Sequence, residues 1–210
     1  MRLKDFEKFS DLITDQFTYG GKKYAHSNER EATDVLFDKH GKNWLLGTVD
    51  KYTFRFKTCK REKDLLKIAT YMFILWLKRG FHIDKKREIA IDTNIKTKQE
   101  QFPLFIDKVK SYHEIYKRHN QNILQLRREI GKPFDQKLKE ELENSYVEND
   151  KELRTIISEQ LEKFSKDEWV KINEYDLVEI FYLAYFLWER NFKNKAGQDT
   201  DTWVEKKKEK

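Results

Sequence analysis

Glu31 and Asp34 stand three residues apart in NEREATDVLFDKH, a stretch with helical patterning, so both carboxylates fall on one face a turn apart. Two acids at that spacing can share a divalent cation. Lys51 and Arg55 lie four apart on the flank of a later helical stretch, a geometry suited to gripping a phosphate. Lys22 and Lys23 follow Gly20 and Gly21, and a Gly-Gly turn lets backbone amides approach a phosphate with lysines alongside. Without a G-x-x-x-x-G-K-[ST] pattern, however, it is not a P-loop. Each feature also has a plainer reading. Asn28 can cap the second helix and put Glu31 at its third position, where free amides and the macrodipole favour an acid. Lys51 and Arg55 can be surface cations with buried stems, and Gly20-Gly21 an ordinary helix-to-helix turn. On local spacing alone the cap and the turn are preferred.

Other chemistries are poorly served. Of the five histidines, His113 and His119 are six apart, which is not a same-face spacing, and His26, His40 and His82 stand alone. No Ser-His-Asp or Cys-His arrangement can be read locally. The single Cys59 excludes an internal disulfide and a cysteine-rich zinc site, and it predicts a reducing, cytoplasmic setting. A catalytic metal would therefore be held by carboxylates, and oxygen-only ligation suits Mg²⁺ or Mn²⁺ rather than Zn²⁺.

The elements that must position these groups are helical. Charged residues make up 38% of the 210 and apolar residues also 38%, with 7 Gly and 2 Pro, which predicts a helical protein with a core and a solvated charged exterior. The net charge of +6 is a small excess on a heavily charged surface and favours anionic partners only mildly. The N-terminus, MRLKDFEKFSDL, has no apolar signal core. Leu3, Phe6, Phe9, Leu12, Ile13 and Phe17 give a first amphipathic helix, which Gly20 and Gly21 are expected to end. A second helix starts near Asn28, Gly41 closes it, and a third follows with Trp44, Leu45, Val49, Tyr52 and Phe56 as buried candidates. Glu88 to Asp92 alternates briefly as a strand would. Helices resume near Thr97, whose box with Glu100 is a start signal, and two more are expected at about 137–146 and 150–164.

The stretch Glu62 to Phe81 organises the rest. Between Leu65 and Leu77 only Lys67 and Thr70 are neither apolar nor aromatic, so this helix has no wide polar face and must be wrapped by protein. It stops at Lys78 and Arg79, short of the ~20 apolar residues a membrane span needs. The pattern returns in Glu174 to Phe192. A shift of 112 positions pairs Glu62 with Glu174, Asp64 with Asp176, Leu65 with Leu177, Ile68 with Ile180 and Trp76 with Trp188. This reads as a degenerate internal duplication in an all-α helical bundle, with pseudo-repeats at about 28–81 and 143–192. Residues 1–192 are expected to form one domain, 193–210 a frayed charged tail, and Trp76 and Trp188 to be buried.

Taken together, YGGKKY (Tyr19 to Tyr24), EATD (Glu31 to Asp34), LLGTVDKYTFRF (Leu45 to Phe56) and KDLLKIATYMFIL (Lys63 to Leu75) resemble short phage-encoded helical proteins related to the all-α nucleoside triphosphate pyrophosphohydrolases, the MazG-like group. Some of these are described as dATP/dGTP diphosphohydrolases. The likeness covers the first third to 40% of the chain. It implies a helical bundle that binds a nucleotide and Mg²⁺ and cleaves between the α- and β-phosphates. The group's acidic pattern is E-x-x-E on one helix and E-x-x-D on the next. Here Glu31 and Asp34 match, but Asp64 is followed three residues on by Lys67, which would weaken or abolish a two-metal site. The C-terminal copy offers Glu159 with Glu162, and Asp176 with Glu179. There, Asn173 followed by Asp176 is also an ordinary helix start.

The resulting expectation is that Glu31, Asp34 and Asp64 converge on one metal, with Lys51 and Arg55 facing it and Lys22 and Lys23 as further phosphate ligands. Trp44 and Tyr52 would line the base pocket if they are not core. The expected partners are a nucleotide and a second copy of the chain. The competing reading is a non-catalytic phage protein that binds a host protein or nucleic acid. Lys67 favours this second reading; the paired acids favour the enzyme.

Overall fold

The computed structural model describes residues 3–24, 31–81, 95–129, 150–166 and 171–193. These residues form seven helices and no strand: α1 (Leu3–Tyr24), α2 (Ala32–His40), α3 (Lys42–Cys59), α4 (Glu62–Lys78), α5 (Ile95–Glu129), α6 (Asp150–Lys166) and α7 (Glu174–Phe192). The protein is an all-α bundle. None of the described helices is long and apolar enough to cross a membrane. The expected strand at 88–92, the helix at 137–146, Asn28 and the tail beyond residue 193 lie outside the described residues.

Apolar spacing explains most of the boundaries. In α4 every residue from Leu65 to Leu77 except Lys67 and Tyr71 is buried, as the lack of a polar face requires. Gly41 both ends α2 and starts α3. Its φ of +64° carries little penalty for glycine, and its N–H donates to the Phe37 carbonyl at 2.6 Å. Two expectations are corrected. α1 does not stop at Gly20 and Gly21 but continues through them to Tyr24. A helical glycine costs only about 1 kcal/mol, and Phe6, Phe9, Ile13 and Phe17 already anchor the helix in the core. α2 begins at Ala32, so Glu31 is its N-cap residue, not its third, and makes no side-chain cap bond. α5 starts at Ile95, near Thr97 as expected.

α4 and α7 make reciprocal contacts. Trp76 Nε1 donates to Glu174 Oε1 at 2.9 Å, and Trp188 Nε1 donates to Glu62 Oε1 at 2.7 Å. Under the 112-residue shift each bond is the image of the other. Such exchange, where i touches j′ and j touches i′, marks a twofold arrangement. α1 and α5 follow the same operation with a shift of 96 residues, as the ring contacts show. Phe6 meets Tyr185 at 5.1 Å and Phe102 meets Phe73 at 4.9 Å. Likewise Phe9 meets Trp188 at 5.4 Å and Phe105 meets Trp76 at 5.3 Å. Phe9 with Tyr185, and Phe105 with Phe73, repeat at 5.5 and 5.4 Å.

The core is thus the seam between two helical sets, α1, α3 and α4 against α5, α6 and α7, with α4 and α7 packed together at its centre. Trp76 and Trp188 are buried at 1% and 0% exposure, as their place in the seam demands.

Candidate functional site

The three acids proposed as metal ligands are all buried, and each has its own cation. Glu31 pairs with Lys98 of α5. Asp34, fully buried in the first turn of α2, meets Lys78 Nζ of α4 at 2.5 Å. Asp64, fully buried in the first turn of α4, receives Arg55 of α3, whose Nε lies 2.8 and 3.0 Å from its two oxygens and whose second guanidinium nitrogen also donates. A buried carboxylate is tolerable only when paired and hydrogen-bonded, and each acid has a cation within the protein, although Glu31 Oε1 has no hydrogen-bond partner among the described residues. The bond to Asp64 raises the pKa of Arg55. Among the described residues no three His, Cys, Asp or Glu side chains are grouped to hold a metal ion. The acids therefore do not form the convergent cluster expected of a carboxylate-held Mg²⁺ centre.

The C-terminal acids are engaged differently. Asp176 and Asn173 form a complete capping box at the start of α7, with bonds of 2.9 and 3.3 Å. Glu179 accepts from Tyr112 Oη at 2.9 Å and from Gln160 Nε2. Glu162 is exposed and pairs with Lys166 of its own helix, which lowers its pKa. Glu159 is exposed.

The phosphate candidates of α3 form a group. Lys51 Nζ lies 4.6 Å and the Arg55 guanidinium 4.9 Å from the centre of the Tyr52 ring, so both cations rest on one aromatic residue. Tyr52 is stacked on Tyr71 of α4 at 6.1 Å and 16°, and Trp44 meets Tyr71 edge-on at 6.1 Å. All three aromatics are half-buried and form a ledge at the α3–α4 seam. Lys22 and Lys23 fall in the last turn of α1, and their side chains lie outside the described residues.

Sequence reading did not single out the cavity beside this ledge. It measures about 100 Å³ and lies where α1, the start of α2, α4 and α5 meet, lined by Gln16, Glu31, Lys67, Thr70, Tyr71 and Lys98 among others. Tyr71 belongs to both cavity and ledge. Lys67 has no hydrogen-bond or ion-pair partner among the described residues. Burial, then the like charges of Lys63 and Lys98, push its pKa down to about 8. Gln16 is nine-tenths buried and its Oε1 has no hydrogen-bond partner among the described residues. The one sequence signal pointing here was Lys67 itself, a cation in an otherwise apolar run.

No protein family, no characterised protein and no solved structure matches this chain.

Proposed function

We propose that the chain binds a nucleotide through lysine and arginine side chains, and that any Mg²⁺ arrives on the triphosphate instead of being held in advance by a carboxylate cluster. One observation carries this reading. Tyr71 joins a cavity lined by Lys67, which has no ion-pair partner among the described residues, to an aromatic ledge that bears Lys51 and Arg55. Phosphate recognition needs cations with spare hydrogen-bonding capacity, and a base needs aromatic surface; the two adjoin here. The cavity is well below the ~300 Å³ of a whole-ligand pocket, so a base would lie outside it, against Trp44, Tyr52 and Tyr71. The resemblance to the pyrophosphohydrolase group supports a nucleotide as the ligand class. The pairing of Glu31, Asp34 and Asp64 with Lys98, Lys78 and Arg55 argues against that group's metal chemistry.

The test is a panel of dNTPs and NTPs, with and without Mg²⁺, read by calorimetric binding and by release of pyrophosphate and monophosphate. Binding without Mg²⁺ and without turnover is expected. Mg²⁺-dependent pyrophosphate release, lost in Asp34→Asn with the fold intact, would restore the hydrolase reading. Neither binding nor turnover at millimolar nucleotide would transfer the case to a protein or nucleic-acid partner, to be sought by pull-down from host lysate.

A further inference from the structure

The twofold relation shows what is missing from the cavity. Applying the two shifts, Lys67 corresponds to Glu179, Thr70 to Tyr182, Ile74 to Phe186, Gln16 to Tyr112 and Phe17 to His113. In the C-terminal half these positions form two hydrogen-bonded pairs. Tyr112 donates to Glu179 at 2.9 Å, and His113 Nδ1 is hydrogen-bonded to Tyr182 Oη at 2.6 Å. The Phe186 ring packs on Tyr182 at 5.1 Å. In the N-terminal half, Thr70 replaces a tyrosine and Ile74 a phenylalanine. Side-chain volume is lost at both positions, and the cavity occupies the corresponding place. Two buried acceptors that line it, Gln16 Oε1 and Glu31 Oε1, have no hydrogen-bond partner among the described residues; Gln16 stands where Tyr112 bonds its acid, and Lys67 where that acid sits.

We infer that this cavity is a binding site for one small oxyanion of the phosphate type, held by Lys67, Lys98 and Gln16 in the place that side chains fill in the other half. Size and charge agree. A cavity needs only about 10–15 Å³ to hold one water, so about 100 Å³ has room for a single tetrahedral group. The charged residues lining it are Lys67, Lys98 and Glu31, with Lys63 close enough to act on Lys67. Glu31 is already neutralised by Lys98, which leaves the Lys67 charge to be met. A hydrogen phosphate group offers acceptor oxygens to the lysines and a hydroxyl donor to Gln16 Oε1 or Glu31 Oε1. For a fully ionised anion the Gln16 amide can present its NH₂ instead.

The inference rests on the proposed nucleotide reading for only one source of the anion, and the experiment separates the two. The full chain is titrated calorimetrically with sodium phosphate, sodium sulfate and Mg²⁺-free ATP, each against sodium chloride at matched ionic strength, alongside Lys67→Met and Lys67→Arg. Phosphate and sulfate should bind at one site. Lys67→Met should weaken binding by about tenfold or more, as loss of a charge-assisted hydrogen bond implies, and Lys67→Arg should retain most of it. If Lys67→Met loses its helical circular dichroism, Lys67→Gln takes its place. Displacement of phosphate by ATP would identify the terminal phosphate of a larger molecule; phosphate binding without ATP competition would identify the free ion. Absence of binding above chloride, or equal binding in Lys67→Met, would overturn the site. Nucleotide binding unchanged in Lys67→Met would overturn this location while leaving nucleotide recognition standing.

Discussion

Lys67 and Glu179 occupy equivalent positions in the two halves of the bundle and carry opposite charges, and their surroundings differ accordingly. Glu179 is a satisfied acceptor in a network that fills its space. Lys67 faces a cavity with no counter-ion of its own among the described residues. Asp64 and Asp176 make a second such pair. The same residue type is fully buried under Arg55 in one half and caps a helix beside solvent in the other. The twofold scaffold fixes where a side chain stands, while the partners supplied by other helices decide what it does. Asp34 and Asp64 of the N-terminal half are fully buried, whereas Asp176 and Glu179 of the C-terminal half are half-buried.

Breaking an internal pair tests that contrast most strongly. Lys78→Met leaves Asp34 fully buried without its ammonium, and removing one partner of a buried pair costs about 3–5 kcal/mol. Lys166→Ala, which removes a cation from exposed Glu162, should cost at most ~0.5 kcal/mol. Urea unfolding of both variants gives the comparison directly. Similar midpoints would mean that burial does not separate the two halves.

A smaller effect probes what the halves share. Trp76→Phe and Trp188→Phe each delete an N–H that holds a glutamate of the opposite half, at a cost of about 1–3 kcal/mol for stripping a partly buried charged acceptor. Glu174 keeps Lys108 at 3.3 Å, so Trp188→Phe should be the costlier of the two by a few tenths of a kcal/mol. Strongly unequal losses, or a negligible one, would break the twofold equivalence.

The scaffold was legible in the sequence because burial leaves a local trace. The apolar run of α4, its echo in α7 and the stripe of α3 are visible wherever a helix must hide most of its surface. Counter-ions leave no such trace. Lys98 reaches Glu31 across 67 positions and Lys78 reaches Asp34 across 44, so the spacing that put two acids on one helix could not show that each was already paired. The end of α1 was misplaced for a related reason. Gly20-Gly21 is a local stop signal, and the packing that carries the helix past it is tertiary. The cavity was hidden because it consists of missing volume at Thr70 and Ile74, which becomes visible only beside Tyr182 and Phe186.

The last test compares Lys67 with Glu179 and predicts opposite signs at equivalent positions. Glu179→Met removes the acceptor of Tyr112 and Gln160 and should destabilise by about 1–2 kcal/mol. Lys67→Met removes a charge that the fold holds at a cost, since the pKa of Lys67 lies at about 8 instead of near 10.5. A lysine whose folded pKa is depressed binds its proton less tightly folded than unfolded. Its penalty is therefore complete below pH 8 and fades as pH rises from about 8 to about 10.5, where unfolded lysine also loses its proton. At pH 7, without an oxyanion present, Lys67→Met should stabilise the chain by about 1–2 kcal/mol, discounting the full shift for the partial exposure of Lys67. The advantage should shrink toward pH 10.5. Saturating phosphate, by giving Lys67 its counter-ion, should stabilise the wild type and leave the variant unmoved, closing the gap from the other side. Measured as unfolding free energies at pH 7 and 10 with and without phosphate, a variant that is less stable than wild type throughout would show that Lys67 already has its partner within the fold.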